Sequence, residues 1–271
     1  MNSPRAQSAF TLLELLTLIA IIGILAAITL PNLQNFKPNV MAAATSQLLA
    51  DVGRARQLAI SHRTTVYMVF VPAGFWNDPA FNTPSWREVD RRAATNLFDK
   101  QLVGYNFVSL RSLGDQPGRR TTRYLSEWKT IPDGAFIPRI KFGIRSSLPN
   151  IAITTNDLAG NLRRAYEVFG FSVTNSIPFP LDTTPGVGVP ARWVPLPYIA
   201  FNYMGQLVSG QNEVIPLALG SAGFSRDATR TATAKLPSFN EAPPGNSTNS
   251  YNLVSIDWLT GRARIERQEA R

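Results

Sequence analysis

A single carboxylate stands inside an otherwise uncharged apolar run. From Phe10 to Leu30 the chain has 21 residues, and Glu14 is the only charged one among them. At about 1.5 Å per residue a helix of that length reaches across the roughly 30 Å hydrocarbon core of a bilayer. A carboxylate there costs about 2.5–3.5 kcal/mol on insertion scales. Two readings follow for Glu14: it reaches the head groups from near the helix end, or it meets a cation supplied by another chain.

Elsewhere the residue types for chemistry are sparse. The chain has no cysteine and one histidine, His62, which excludes disulfides, thiolate chemistry, cysteine–zinc and multi-histidine metal sites, and most catalytic triads. There is no phosphate-binding loop or dinucleotide fingerprint. Asp78, Glu88 and Asp90 fit the spacing of no recognised calcium loop, and His62 reads as a helix C-cap. The expectation is therefore no catalytic residue, no metal, no cofactor and no enzymatic activity. Charge is the remaining signal: 27 Lys plus Arg against 18 Asp plus Glu give +9 over 271 residues. Arg91, Arg92, Arg119, Arg120, Arg123, Arg163 and Arg164 all fall in predicted loops. Converging, they would suit a polyanion such as nucleic acid, with Trp76, Trp86 or Tyr105 to stack on bases; scattered, they serve solubility, the commoner case.

The elements that must position Glu14 come next. Residues 1–9 are short and polar, with one arginine. Pro31 and Pro38 each remove an amide donor and clash with the preceding turn, so a kink or opening is expected between them, at or beyond the membrane surface. From Val40 to His62 the helical period returns, with Val40, Ala44, Leu48, Val52, Ala55 and Ala59 on one stripe and Gln47, Asp51, Arg54 and Gln57 assigned to other faces. That stripe requires a covering sheet. Strands are predicted at 64–71, 103–113, 124–129, 135–140, 199–203 and 214–219, and a hairpin at 251–267. Residues 72–101, the proline-rich 177–197 and the Ser/Thr/Pro/Asn-rich 225–250 read as loops, the last as a mobile excursion. The stretch 158–171 reads as a short strand or helix.

The stretch AFTLLELLTLIAIIGILAAITLP resembles the class III signal and N-terminal helix of type IV pilins and type II secretion pseudopilins. The segments ARQLAISHRTTVYMVF and IDWLTGRARI are similar to the GspH-like subgroup of minor pseudopilins. The resemblance implies cleavage by a prepilin peptidase between Ala9 and Phe10, with Ala9 where the family usually has glycine. It implies N-methylation of Phe10 and pairing of Glu14 with the Phe10 ammonium of a neighbouring subunit, so that assembly depends on processing. It also implies a single-pass protein of the bacterial inner (cytoplasmic) membrane, with its C-terminal domain outside the cytoplasm and later part of a filament. The expected fold is α+β and pilin-like: a long N-terminal helix, membrane-spanning in its first half, packs its second half on a mainly antiparallel β-sheet. Its parts are a leader (1–9), a transmembrane helix (10–30), an amphipathic continuation (31–62) and a β-rich domain (63–271). Expected partners are prepilin peptidase, other pilin or pseudopilin subunits and membrane lipid, with nucleic acid less favoured. The expected function is a structural filament subunit. The alternative is a filament-tip subunit that recognises DNA, a surface or a secreted substrate through its basic loops.

Overall fold

The computed structural model describes residues 15–22, 40–79, 81, 94–111, 114–115, 121–146, 148–156, 162–178, 193–245 and 252–267. The chain divides into two compact units, Met1–Asn39 and Val40–Arg271. In the first, residues 15–22 form a helix, α1. The second is built on α2, Val40–Ser61. Its strands are β1 (Val66–Phe70), β2 (Gly104–Ser109), β3 (Arg123–Tyr124), β4 (Lys129–Thr130), β5 (Ala135–Phe136), β6 (Ile151–Asn156) and β7 (Leu162–Val168). They continue as β8 (Ser176–Pro178), β9 (Trp193–Pro195), β10 (Tyr198–Phe201), β11 (Glu213–Gly223), β12 (Ser238–Glu241), β13 (Asn252–Ile256) and β14 (Ala263–Arg267).

The apolar spacing of α2 does what its period requires. Ala44, Leu48, Val52, Ala55 and Ala59 are buried, three or four residues apart. The helix closes with the Arg63 amide donating to Ile60 and the Thr64 amide to Ala59, a Schellman arrangement with Arg63 in the left-handed region at φ 47°. His62 takes the C-cap position with its side chain exposed.

Two five-stranded antiparallel sheets cover the stripe. One has the order β10–β1–β2–β3 with β4 also on β2; the other has the order β12–β11–β13–β14 with β5 on β11. The core against α2 takes Val66, Met68 and Phe70 from β1, Ile199 and Phe201 from β10, Ile215 and Leu217 from β11, and Val254 and Ile256 from β13. The alternate residues of β1, Tyr67 and Val69, face a second cluster with Phe75, Leu97, Val194 and Leu196. A strand covered on both faces has no polar side to show, which is why 66–71 is apolar without interruption.

Two expectations need correction. The 225–250 excursion is structured along 225–245: β12 pairs with the end of β11, Arg226 bridges Ala232, and Asp227 accepts bonds from the Thr229 and Thr231 amides. The stretch 158–171, expected to hold a short strand or helix, holds a strand, β7, paired with β6. Arg163 and Arg164 therefore lie in a strand rather than a loop, with Arg163 as the extra residue where the register shifts; Arg123 likewise lies in β3. Local pattern misses such strands because their pairing partner, not their own composition, orders them.

Glycines fix the close approaches. At Gly261 (φ 61°) an added Cβ would lie 1.9 Å from the Gly205 oxygen, whereas at Gly53, in the middle of α2, it would meet nothing within 4 Å. Gly261→Ala is expected to lower stability by about 2–4 kcal/mol through backbone strain and overpacking. Gly53→Ala should raise it by about 0.5–1 kcal/mol. Denaturant midpoints of the two variants against the parent measure both.

Candidate functional site

Ala9, Phe10, Glu14, Pro31 and Pro38 lie outside the described residues, and the chain just after Glu14 is α1. Its Leu15, Leu16, Leu18, Ile19, Ile21 and Ile22 are each 50–60% exposed. At 100° per residue these six positions leave one sector, held by Ala20 and Thr17, so a single hydroxyl is the only polar side chain of α1 and the helix carries no charge. A helix so nearly apolar all round belongs in a large core or in a membrane. Among the described residues no helix is long and apolar enough to cross one; eight residues of the apolar run are described.

Of the arginines proposed for a polyanion, Arg91, Arg92, Arg119 and Arg120 also lie outside the described residues. Arg123, exposed in β3, and Arg163 and Arg164 in β7 belong to different sheets. The aromatic partners fare no better. Tyr105 is fully buried and cannot stack on a base. Trp76 packs edge-on against Phe75 and Phe98, and Trp86 lies outside the described residues.

What the structure does bring together is a polar clasp beneath α2. Asp51 is buried, and its carboxylate accepts bonds from the Tyr105 hydroxyl and from Lys129 Nζ, each at 2.5 Å. Gln47 donates to the Tyr105 oxygen at 2.9 Å and to the Thr130 carbonyl at 2.8 Å. One helical turn is thereby tied to β2 and β4. Burial, reinforced by Asp51, pushes the Tyr105 phenol well above its ordinary value, so it remains a proton donor to the carboxylate at any physiological pH. The assignment of Asp51 to an outer face is thus overturned. The signal was present: Asp51 lies three residues after Leu48 and four before Ala55, on the buried stripe itself.

A second buried cluster had no sequence signal, because its members are far apart. Lys141 is 0% exposed and donates to Glu213 and to the Phe169 carbonyl, with Nζ 4.6 Å from the Phe171 ring centroid. The other Glu213 oxygen accepts from Arg145 at 2.8 Å. Burial lowers the Lys141 amine below its ordinary value, and Glu213 opposes that shift. An amine of depressed basicity is a candidate nucleophile, but this one is sealed from solvent with its bonds to protein atoms made. Its effect is to hold the segment before β6 to the start of β11.

Removing one partner of such a pair strands the other. Glu213→Gln is expected to cost about 3–5 kcal/mol, whereas Lys141→Met combined with Glu213→Leu should cost less than Glu213→Gln alone. Asp51→Asn should cost about 1–3 kcal/mol by weakening both bonds of the α2 clasp. Thermal or denaturant unfolding, compared across the three variants, checks the order.

Among the described residues no group of His, Cys, Asp or Glu is arranged to hold a metal ion. No curated protein and no solved structure matches the chain. Residues 4–30 do match a family model, described as the prokaryotic N-terminal methylation motif. The matched segment contains Ala9, Phe10 and Glu14, and it supports a type IV pilin-like signal of the kind that prepilin peptidase processes.

Proposed function

We propose that the protein is a structural subunit, a minor pilin or pseudopilin, of a type II secretion or type IV pilus filament. The observation that carries this reading is the methylation-motif match over residues 4–30, joined to a helix, α1, that carries no charge and exposes six large apolar side chains. In this reading residues 1–9 are a leader cut between Ala9 and Phe10, and Phe10 carries the methylated amine. Residues 10–30 cross the inner membrane once, Pro31 and Pro38 kink the helix beyond it, and the β-rich part stands outside the cytoplasm.

Glu14 sets the register of assembly. When apolar helices bundle, its carboxylate loses water, and an unpaired charge there is costly. The Phe10 ammonium of a neighbouring subunit supplies the counter-charge, and methylation preserves it. Because that ammonium exists only after cleavage, uncleaved protein cannot assemble. Within the pilin-like families the GspH-like minor pseudopilins are the favoured subgroup, on the helix-to-strand junction at 55–70 and the closing hairpin. The tip-binding alternative through basic loops has less behind it, since Tyr105 is buried and Arg123 stands on a different sheet from Arg163 and Arg164.

Intact-mass measurement of the protein purified from its own membrane should show loss of residues 1–9 and gain of one methyl group; a mass that retains Met1–Ala9 would refute the reading. Glu14→Gln should leave cleavage unchanged and abolish incorporation into filaments, as scored by sedimentation of sheared filaments. Undiminished incorporation would remove the electrostatic account.

A further inference from the structure

Of the charged side chains described, Lys141 and Glu213 are the two most deeply buried, at 0% and 2% exposure. The segments that carry them are held in place. Lys141 lies in a short 3-10 helix, Arg139–Phe142, and its carbonyl accepts the Phe171 amide at 3.0 Å. The Ile140 carbonyl accepts the Asn150 side-chain amide at 2.8 Å. At Gly170 an added Cβ would lie 2.1 Å from the Gly143 oxygen, so these segments meet backbone to backbone. Glu213 opens β11 and is fixed by its pairing with Ile256 of β13. Aromatic rings close the site: Phe171, beside the amine, stacks on Phe70 and meets Phe142 edge-on.

The hydrogen-bond partners of this pair suit an amide as well as they suit two ions. Lys141 Nζ donates to Glu213 and to the Phe169 carbonyl. The Glu213 oxygen that does not meet Lys141 accepts from Arg145 at 2.8 Å. An amide joining the two side chains would have one N–H and one C=O, answered by the Phe169 carbonyl and by Arg145. Joining them also removes two buried charges and the cost of keeping them from water. Arg145 would retain the Gly170 carbonyl and the Gln211 side-chain oxygen as acceptors.

We infer that Lys141 and Glu213 condense after folding to an intramolecular amide, a covalent cross-link between the segment before β6 and the start of β11. The ion pair first passes a proton from Nζ to the facing oxygen, Oε1, which leaves a neutral amine and a carboxylic acid. Burial lowers the basicity of the Lys141 amine and so favours that transfer. Nζ then bonds to Cδ, while the Arg145 guanidinium stabilises the negative charge that develops on Oε2. The Cδ–Oε1 bond breaks as a second proton moves from Nζ to Oε1, and one water leaves. Two groups held in contact replace a bimolecular encounter. The bond spans 72 positions and constrains the unfolded chain as a disulfide does, in a chain without cysteine. Neither Glu213→Gln nor Lys141→Met with Glu213→Leu can lose a water in this way, so the order of stabilities expected for them stands.

The test is peptide mapping of the full-length protein, unfolded and digested with trypsin, which keeps N-terminal processing and the filament reading out of the measurement. The expected product is Ile140–Arg145 joined to Trp193–Arg226, lighter by one water than the two peptides together. Fragmentation should place the bond between Lys141 and Glu213 in most of the protein. In Lys141→Met the peptide Trp193–Arg226 should be released free. Recovery of Ile140–Arg145 unlinked from most of the parent protein, a bond from Lys141 to any other residue, or a linked Trp193–Arg226 in Lys141→Met would each overturn the inference.

Discussion

An apolar stripe 22 residues long cannot stay in water, and in the second unit most of the architecture is explained by how that stripe is covered. Both sheets contribute to its cover: β1 and β10 from one, β11 and β13 from the other. Each full burial of a valine, leucine or phenylalanine side chain contributes about 1.5–3 kcal/mol. Phe70 and Phe171, stacked at 4.3 Å between ring centroids, add area to the same core. With no disulfide in the chain, packing of this kind must supply the stability that a cross-linked exported domain takes partly from covalent bonds.

The buried polar groups make sense against that background. Hydrophobic contact fixes that α2 lies on the sheets but leaves its rotation and axial position soft, because one methyl-lined groove resembles the next. Asp51 removes that freedom. Its carboxylate has only one place where Tyr105 and Lys129 both reach it, so a shift of α2 by one turn would leave a buried charge unpaired. Lys141 and Glu213 act in the same way on the segments around β11. Stability is gained mostly from the apolar core; the ion pairs choose among otherwise similar packings.

The same distinction explains what could be read in the sequence. The period of α2, the strand after it and the closing hairpin were legible because each is set by neighbours in the chain. The folded stretch 225–245 and the β8–β9 pair were not, and at β7 the choice between strand and helix stayed open, since distant segments order them. Asp51 was readable too, since its spacing from Leu48 and Ala55 places it on the buried stripe rather than on another face. Lys141 and Glu213 stand 72 positions apart and no spacing rule connects them. Of the arginines assigned to loops, Arg123, Arg163 and Arg164 fell in strands for the same reason as β7. The N-terminal motif was the most legible stretch of all: its signal is composition over one continuous run, and the methylation-motif match falls on it.

The exposed apolar surface of α1 limits what can cover it. Around α1 the only polar side chain is the Thr17 hydroxyl and there is no charge, so whatever covers that helix must itself be largely apolar, as lipid chains or like helices are.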